Sequence, residues 1–444
     1  MLTRAVDPII SEVFAALDTA LGGETAPLGV AVSGGGDSMA LLHLADAWAT
    51  ARGRALEVAT VDHGLRAESA AEARLVGGAA GALGRPHEAL EWRGWAGRGN
   101  LQAEARAARR RLLSAWAARR GLAAIALGHT MDDQAETVLL RLGRGAGVDG
   151  LSAMAARAEA AGAIWLRPLL GIRRAALRDW LRGRGVAWIE DPSNEDMRFD
   201  RVRARRSLSA LAPLGVTAEG LSATAERMRG AREALDHGAA ALAAKAAQWG
   251  ACGELRLALP PLRAAPRELA RRLLRSGLTR AAGAEYGPRA EAEAQLMNAM
   301  FAYKLGGGRS LHGCLIRPDG PLHVVISREE AAVDAAPAPL GAEGLIWDGR
   351  FLVAITPSAD DECDAAVAPL GEAGARRLAE LSGAGLWRAP QHWAAAPRAA
   401  RLTTPALWRG GKLKAAPLAE YGAGATARFM AAGDGWPAAC GAGG

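Results

Sequence analysis

The stretch Ala31–Leu42, AVSGGGDSMALL, restricts this chain more than any other. A short apolar run, Leu28–Val32, leads into Ser33-Gly34-Gly35-Gly36-Asp37-Ser38. A helical pattern follows from Ser38 to about Arg52, with Leu41, Leu42, Leu44 and Ala45 on its apolar face. Glycines remove side-chain obstruction, and the first turn of a helix has unmatched N–H groups, so the bend offers donors to one concavity. The helix end adds a partial positive charge, which makes an anion the favoured occupant. Ser33 and Ser38 can add hydroxyl donors. Asp37 would repel an anion unless a magnesium ion bridges carboxylate and phosphate. The lysine of GxxxxGK[ST] is missing, so this is not the common phosphate loop.

The surroundings of that loop set the fold class. Strand patterns at Leu56–Val61, His87–Trp92 and Leu122–Leu127 alternate with helical patterns at Leu101–Arg120 and Asp132–Leu142. Such alternation predicts an α/β domain on a parallel sheet with right-handed crossovers, and ligands beyond the carboxyl ends of its strands. Ile164–Leu169 and Val186–Ile189 read as further strands around a helix at Arg173–Arg184. Residues from about Leu214 to Met300 read as helical, with no strand signal of any strength. Beyond Arg309 come two hairpin patterns, around Pro318-Asp319-Gly320 and Asp348-Gly349, with a proline- and alanine-rich linker near Val333–Leu340. The expected division is a catalytic domain over 1–212, a helical middle domain over 213–308, and a small β-rich region over 309–444.

Composition narrows the class of partner. The chain of 444 residues carries a net charge of +7, and nearly all its cations are arginine. They crowd the segments Arg106–Arg120 and Arg167–Arg206, as a phosphate-rich partner would favour. No run approaches the roughly 20 apolar residues of a membrane span, and the N-terminus lacks the pattern of a secretory signal, so a cytoplasmic protein is expected. Cys252, Cys314, Cys363 and Cys440 form no CxxC pair and all lie in the second half. Neither a zinc ribbon nor a redox dithiol is suggested.

Two further motifs end strands. VDHGLR, Val61–Arg66, reads by itself as a tight turn at Gly64 with a surface histidine. GHTMDDQAET, Gly128–Thr137, opens a helix with three carboxylates in five residues. Asp132 and Glu136 are four apart and share a helical face, which leaves Asp133 able to point elsewhere. Crowded acids beside a phosphate loop again suggest magnesium. In WIEDPSNEDMRFDRVRAR, Trp188–Arg205, the alternate Arg201, Arg203 and Arg205 would line one side of an extended segment, suited to a phosphate backbone. A solvated basic strand fits the same pattern equally well.

The SGGGDS loop resembles the signature of the PP-loop ATP pyrophosphatases, which cleave ATP between its α and β phosphates. Taken in order, SGGGDS, VDHGLR, NLQAEARAARR, GHTMDDQAET, GLSAM, RPLL and EDPSN resemble the tRNA(Ile)-lysidine synthetase family across roughly residues 28–206. Where that family's helix usually reads ARxxRY, this chain has Arg106, Arg109 and Arg110, so the aromatic is replaced at 110. The resemblance implies that ATP adenylates O2 of the wobble cytosine in the CAU anticodon of tRNA(Ile). The amine of free L-lysine then attacks C2 and AMP leaves. It further implies ATP contacts from Ser33, Gly34, Gly35, Gly36, Asp37, Ser38, Asp62, His63, Gly128 and His129. Magnesium would lie on Asp37 with Asp132 or Asp133, and Glu136 or a second aspartate would be the base. Arg106, Arg109, Arg201, Arg203 and Arg205 would contact tRNA; a homodimer is compatible with the sequence. The rival readings are a PP-loop tRNA thiolase, which the lack of a cysteine in the first half disfavours, and an inactive RNA-binding relative.

Overall fold

The computed structural model describes residues 7–64, 69–92, 101–190, 196–341, 344–355 and 365–430. Strand β1 (Leu28–Ala31) is buried along its whole length. Leu28 and Val30 enter one core, formed with α1 (Pro8–Leu21), α2 (Gly36–Ala51), α3 (Ser69–Ala82) and α7 (Arg174–Arg182). Ala31 faces the opposite core, under Leu113 and Trp116 of α4 (Leu101–Arg120). Gly29 shares that second face and has no room for a side chain. A Cβ there would lie 2.8 Å from the Trp116 ring and 2.7 Å from Leu122.

The sheet has the order β3-β2-β1-β4-β6-β5. Strands β2 (Leu56–Asp62), β3 (His87–Glu91), β4 (Ala124–Leu127) and β6 (Ala163–Leu166) continue the parallel array. Only β5 (Arg157–Ala160), hairpinned to β6, runs antiparallel; its exposed, short pattern gave no strand signal. The chain goes from β1 outward to β2 and β3, then crosses back to β4 on the other side. The strand order therefore reverses between β1 and β4, where the carboxyl ends of an α/β sheet open a crevice. Helices α5 (Met131–Leu142), α6 (Val148–Leu151) and α8 (Asp200–Leu211) follow, and α9 spans Ala218–Ala246.

The chain divides into two compact units between Arg232 and Glu233. In the second, β7 (Ala247–Trp249) and β8 (Leu255–Ala258) join β9 (Arg309–Leu311), β10 (Cys314–Pro318) and β11 (His323–Arg328) in the order β7-β8-β11-β10-β9. The segment read as wholly helical thus contributes two strands. They are three and four residues long, too short for periodicity to register; β8 is fixed by pairing with β11, and β7 by pairing with β8. Helices α10 (Leu259–Ala264), α11 (Arg267–Ala282) and α12 (Ala290–Phe301) pack on the same core. Both expected hairpins form, and Asp348 and Gly349 take φ of 50° and 63°, as a tight turn between twisted strands requires. The expected linker contains a short strand, Ala338–Pro339, paired with Ala366–Val367. Cys252 and Cys314 are free and buried; Cys363 and Cys440 lie outside the described residues.

Candidate active site at the mouth of the parallel sheet

The glycine loop bends where β1 ends. Gly34 takes φ +87°, Gly35 caps α2, and Gly36 begins it. The Ser38 hydroxyl donates to the Gly35 carbonyl at 2.9 Å and accepts the Ser33 N–H at 3.1 Å, with the Ser33 hydroxyl 3.2 Å away. Ser38 was expected to face phosphate; here it braces the bend, and Ser33 is the exposed hydroxyl. From behind, Ile189 donates its N–H to the Gly34 carbonyl at 2.9 Å. The Trp188 ring lies 3.4 Å from where a Gly36 Cβ would stand. The expected strand Val186–Ile189 is reduced to this one bridge, Gly35 to Ile189.

Strand β4 delivers the third motif against that loop. A Cβ on Gly128 would lie 3.1 Å from the Asp37 carbonyl carbon and oxygen and from the Ser38 Cα, so only glycine lets the two chains approach this closely. The next residues start α5 with a reciprocal cap. Asp133 accepts the Thr130 N–H at 2.8 Å and the Thr130 hydroxyl at 2.9 Å. On the other side of β1, Asp62 accepts the Gly64 N–H at 2.8 Å, and His63 meets Trp92 edge-on at 5.8 Å. Leu65 and Arg66 lie outside the described residues, as does Asp191–Asn194 of the EDPSN block.

The acids are gathered by a residue that sequence reasoning missed. Arg174, the first residue of α7, reaches Asp37 through Nε at 2.6 Å, Asp133 through Nη2 at 3.0 Å, and Glu136 through Nη1 at 3.5 Å. Asp132 turns away from this group. It accepts the Arg174 backbone N–H at 2.7 Å and pairs with Arg173 at 3.2 Å, so it caps α7 from outside. The expected pairing of faces is thereby corrected. Asp133, not Asp132, joins Asp37 and Glu136, because its capping bond to Thr130 turns its carboxylate inward. One sequence signal existed. Arginine at the first turn of a helix, with no acid there, opposes the helix dipole and asks for an acidic partner elsewhere.

The arginines of α8 are also rearranged. Because the segment is helical, residues two apart lie about 200° apart around the axis and residues four apart share a face. Arg201 approaches Asp133 at 3.7 Å and Arg205 binds Glu136 at 2.9 Å, whereas Arg203 turns outward to Asp200. The extended stripe of three is not formed. Arg109 belongs to a different group. Burial and repulsion from Arg201 pull its guanidinium below the usual range. Arg106 is crowded by Arg201, Arg110, Arg109 and Arg167.

Neighbours set each acid's proton affinity. Burial raises Asp37, and Arg174 only partly opposes it. Glu136 is raised by burial and by Asp133, against Arg205 and Arg174. Burial would also raise Asp133, but Arg174, the Thr130 N–H and Arg201 hold it below the ordinary carboxylate range. His129 is pushed down by burial, against Asp133 and with help from Arg167, Arg109 and Arg201, so its ring is neutral.

Magnesium can be tested against these donors. Among the described residues, no group of three or more His, Cys, Asp and Glu is placed to hold a metal unaided. Asp37 nevertheless has a buried Oδ1 without a hydrogen-bond partner. Magnesium characteristically uses one or two carboxylates together with substrate phosphates. The residues fit an ion shared between Asp37 and a nucleotide; Asp132 is engaged in capping and Asp133 by Thr130 and Arg174.

A model of the PP-loop domain matches residues 10–212, which contain all of this geometry. A tRNA(Ile)-lysidine synthase of Ruegeria pomeroyi is 47% identical over 403 residues, covering 90% of this chain and 91% of that one. This chain belongs to the tRNA(Ile)-lysidine synthase family. A second synthase, from Wolbachia pipientis wMel, is 35% identical over 344 residues, covering 77% and 79% of the two chains. The 403 residues matched to the Ruegeria pomeroyi synthase reach well beyond the first unit, into the second. Among the described residues, no helix is long and apolar enough to cross a membrane.

Proposed function

We propose that the chain ligates L-lysine to C2 of the wobble cytidine in the CAU anticodon of tRNA(Ile), consuming ATP and releasing pyrophosphate and AMP. The observation that carries the proposal is the contact of Gly128 with Asp37–Ser38, which sets the glycine loop and the acids of α5 at one mouth of the sheet. The amides at Gly34–Gly36 and the Ser33 hydroxyl bind the phosphate tail and retain the departing pyrophosphate. Asp37 would hold magnesium, which would supply positive charge against the charge that builds as the α–β phosphate bond breaks. In that step O2 of the cytosine bonds to the α phosphorus. In the next, the lysine nitrogen bonds to C2, the C2–O2 bond breaks, and AMP carries the oxygen away.

A lysine side chain, with pKa about 10.4, arrives as ammonium and must lose a proton to attack. Glu136 is the base in this reading. It is 1% exposed, and its Oε2 has no hydrogen-bond partner among the described residues. Arg109 and Arg201, whose guanidinium groups repel one another, receive the anticodon phosphates.

Mass spectrometry of the anticodon nucleoside after incubation with tRNA(Ile), ATP and lysine tests the reaction. Lysidine and stoichiometric AMP are expected; AMP without a lysine adduct would overturn the ligase reading. For the base, Glu136→Gln should leave pyrophosphate release intact in single turnover and slow lysine addition by about a hundredfold. Equal slowing of both steps would refute the assignment.

A further inference from the structure

The geometry points to Arg174 as a positioning residue that replaces a resident metal: its guanidinium occupies the centre of the acid cluster and fixes Asp37, Asp133 and Glu136 before any nucleotide arrives. This inference rests on the ATP-dependent reading of the site, and its first test does not.

Three observations carry it. The contacts of Arg174 use all three guanidinium nitrogens, one for each acid, at 2.6, 3.0 and 3.5 Å. A planar fork can span three carboxylates in this way, and a lysine ammonium on its longer, flexible stem cannot reproduce the spread. Second, the backbone of Arg174 is fixed independently of its side chain, by the Asp132 carboxylate on its N–H at 2.7 Å. The neighbouring Arg173 clamps the same Asp132 and also pairs with Glu219. Third, Arg174 is largely buried, with 16% of its side chain exposed, and the cluster has open acceptors around it, Asp37 Oδ1 and Glu136 Oε2. Those two oxygens remain for a nucleotide-borne magnesium ion and for an incoming amine, while the guanidinium keeps their partner oxygens in place.

The consequence is a site that does not collect free divalent cations. With Arg174 in the centre, a metal approaching without nucleotide meets a neutralised cluster. Removing the guanidinium leaves Asp37 without its cation, and Asp133 and Glu136 with Arg201 and Arg205 alone, so the buried negative charge in excess draws in a hard cation.

Manganese titration of the nucleotide-free protein, followed by electron paramagnetic resonance, is the test. Wild type should show no site tighter than the weak background, whereas Arg174→Met should gain one ion per chain, bound at least about tenfold more tightly. Equal manganese binding by the two proteins overturns the inference, whatever the reaction proves to be. Should Arg174→Met fail to fold without metal, Arg174→Lys supplies the second arm. It retains the charge, should stay folded and metal-free, and should lose about tenfold or more in kcat for lysidine formation with KM for ATP little changed. An Arg174→Lys enzyme with wild-type kcat overturns the positioning role. Absence of lysidine formation by wild type would instead fault the functional reading and leave the manganese result standing.

Discussion

Gly128→Ala is the sharpest perturbation of the site, because it adds one methyl group and no charge. The added carbon would stand 3.1 Å from three atoms, all of them backbone, at Asp37 and Ser38. Side-chain ends can swing aside; these atoms are held by β1 and by the first turn of α2, so the strand end and the loop must part by a few tenths of an ångström. Overpacking of this kind costs about 1–3 kcal/mol, and the middle of that range is expected here. The larger effect is on chemistry. Gly128 is the residue before His129 and Thr130, and Thr130 caps the helix that carries Asp133 and Glu136. Parting the chains moves both acids relative to Asp37. Displacements of about 1 Å are known to lower rates about a hundredfold, so a loss of roughly tenfold or more in kcat is expected for this smaller shift. Urea unfolding would measure the first term and single-turnover lysidine formation the second. A variant with unchanged midpoint and unchanged rate would refute the claim that this contact aligns the two motifs.

Three further outcomes follow from the same geometry. Gly34→Ala places a side chain at φ +87° and 3.0 Å from Ile189, and should lower stability by about 1–2 kcal/mol and weaken ATP binding, read by calorimetry. Asp132→Asn removes the charge that caps α7 and pairs with Arg173. A loss of about 1–2 kcal/mol in unfolding free energy is expected, with lysine addition reduced only through the displaced Arg174. His129 is depressed in the folded state, so the unfolded chain binds the extra proton as pH falls below 6.5. Its contribution to stability is therefore complete above that value and declines below it, by about 1.4 kcal/mol per pH unit. His129→Gln should flatten the stability profile between pH 6.5 and 5 relative to wild type; parallel profiles would show that the ring is not buried neutral.

The parts of this molecule that could be read from sequence are those where local chemistry decides. Strand β1 and its glycine loop, the caps of α5 and the Asp348-Gly349 turn each follow from a few adjacent residues. The parts that could not be read depend on partners far along the chain. Arg174 lies 137 residues from Asp37, and β8 is a strand because β11 lies beside it. Arg201, Arg203 and Arg205 were misread for a simpler reason. A proline-stiffened block precedes them and suggested extension, yet the helix begins at Asp200, and the change of period exchanged a stripe of three for an inward pair.

That inward pair completes a division of labour among the acids. Asp37, Asp133 and Glu136 share one guanidinium, yet the charges around each differ. Two of them are raised and one is lowered. Burial acts upward on all three; against it, Arg174 lowers Asp133 most, helped by the Thr130 N–H and by Arg201, whereas the charge of Asp133 itself further raises Asp37 and Glu136. Asp133 accepts both an N–H and a hydroxyl from Thr130, which stabilise its charged form, whereas Asp37 Oδ1 and Glu136 Oε2 are buried with no donor among the described residues. Asp133 is thus the fixed anion that anchors Arg174, and the two acids with open oxygens are those left to interact with what binds. Environments that push neighbouring carboxyl groups apart in this way assign roles that the residue types alone do not. Thr130→Val tests the assignment. Removing the hydroxyl should raise Asp133 toward its neighbours and loosen Arg174, slowing both half-reactions together, whereas an effect confined to lysine addition would place Asp133 among the reactive groups instead.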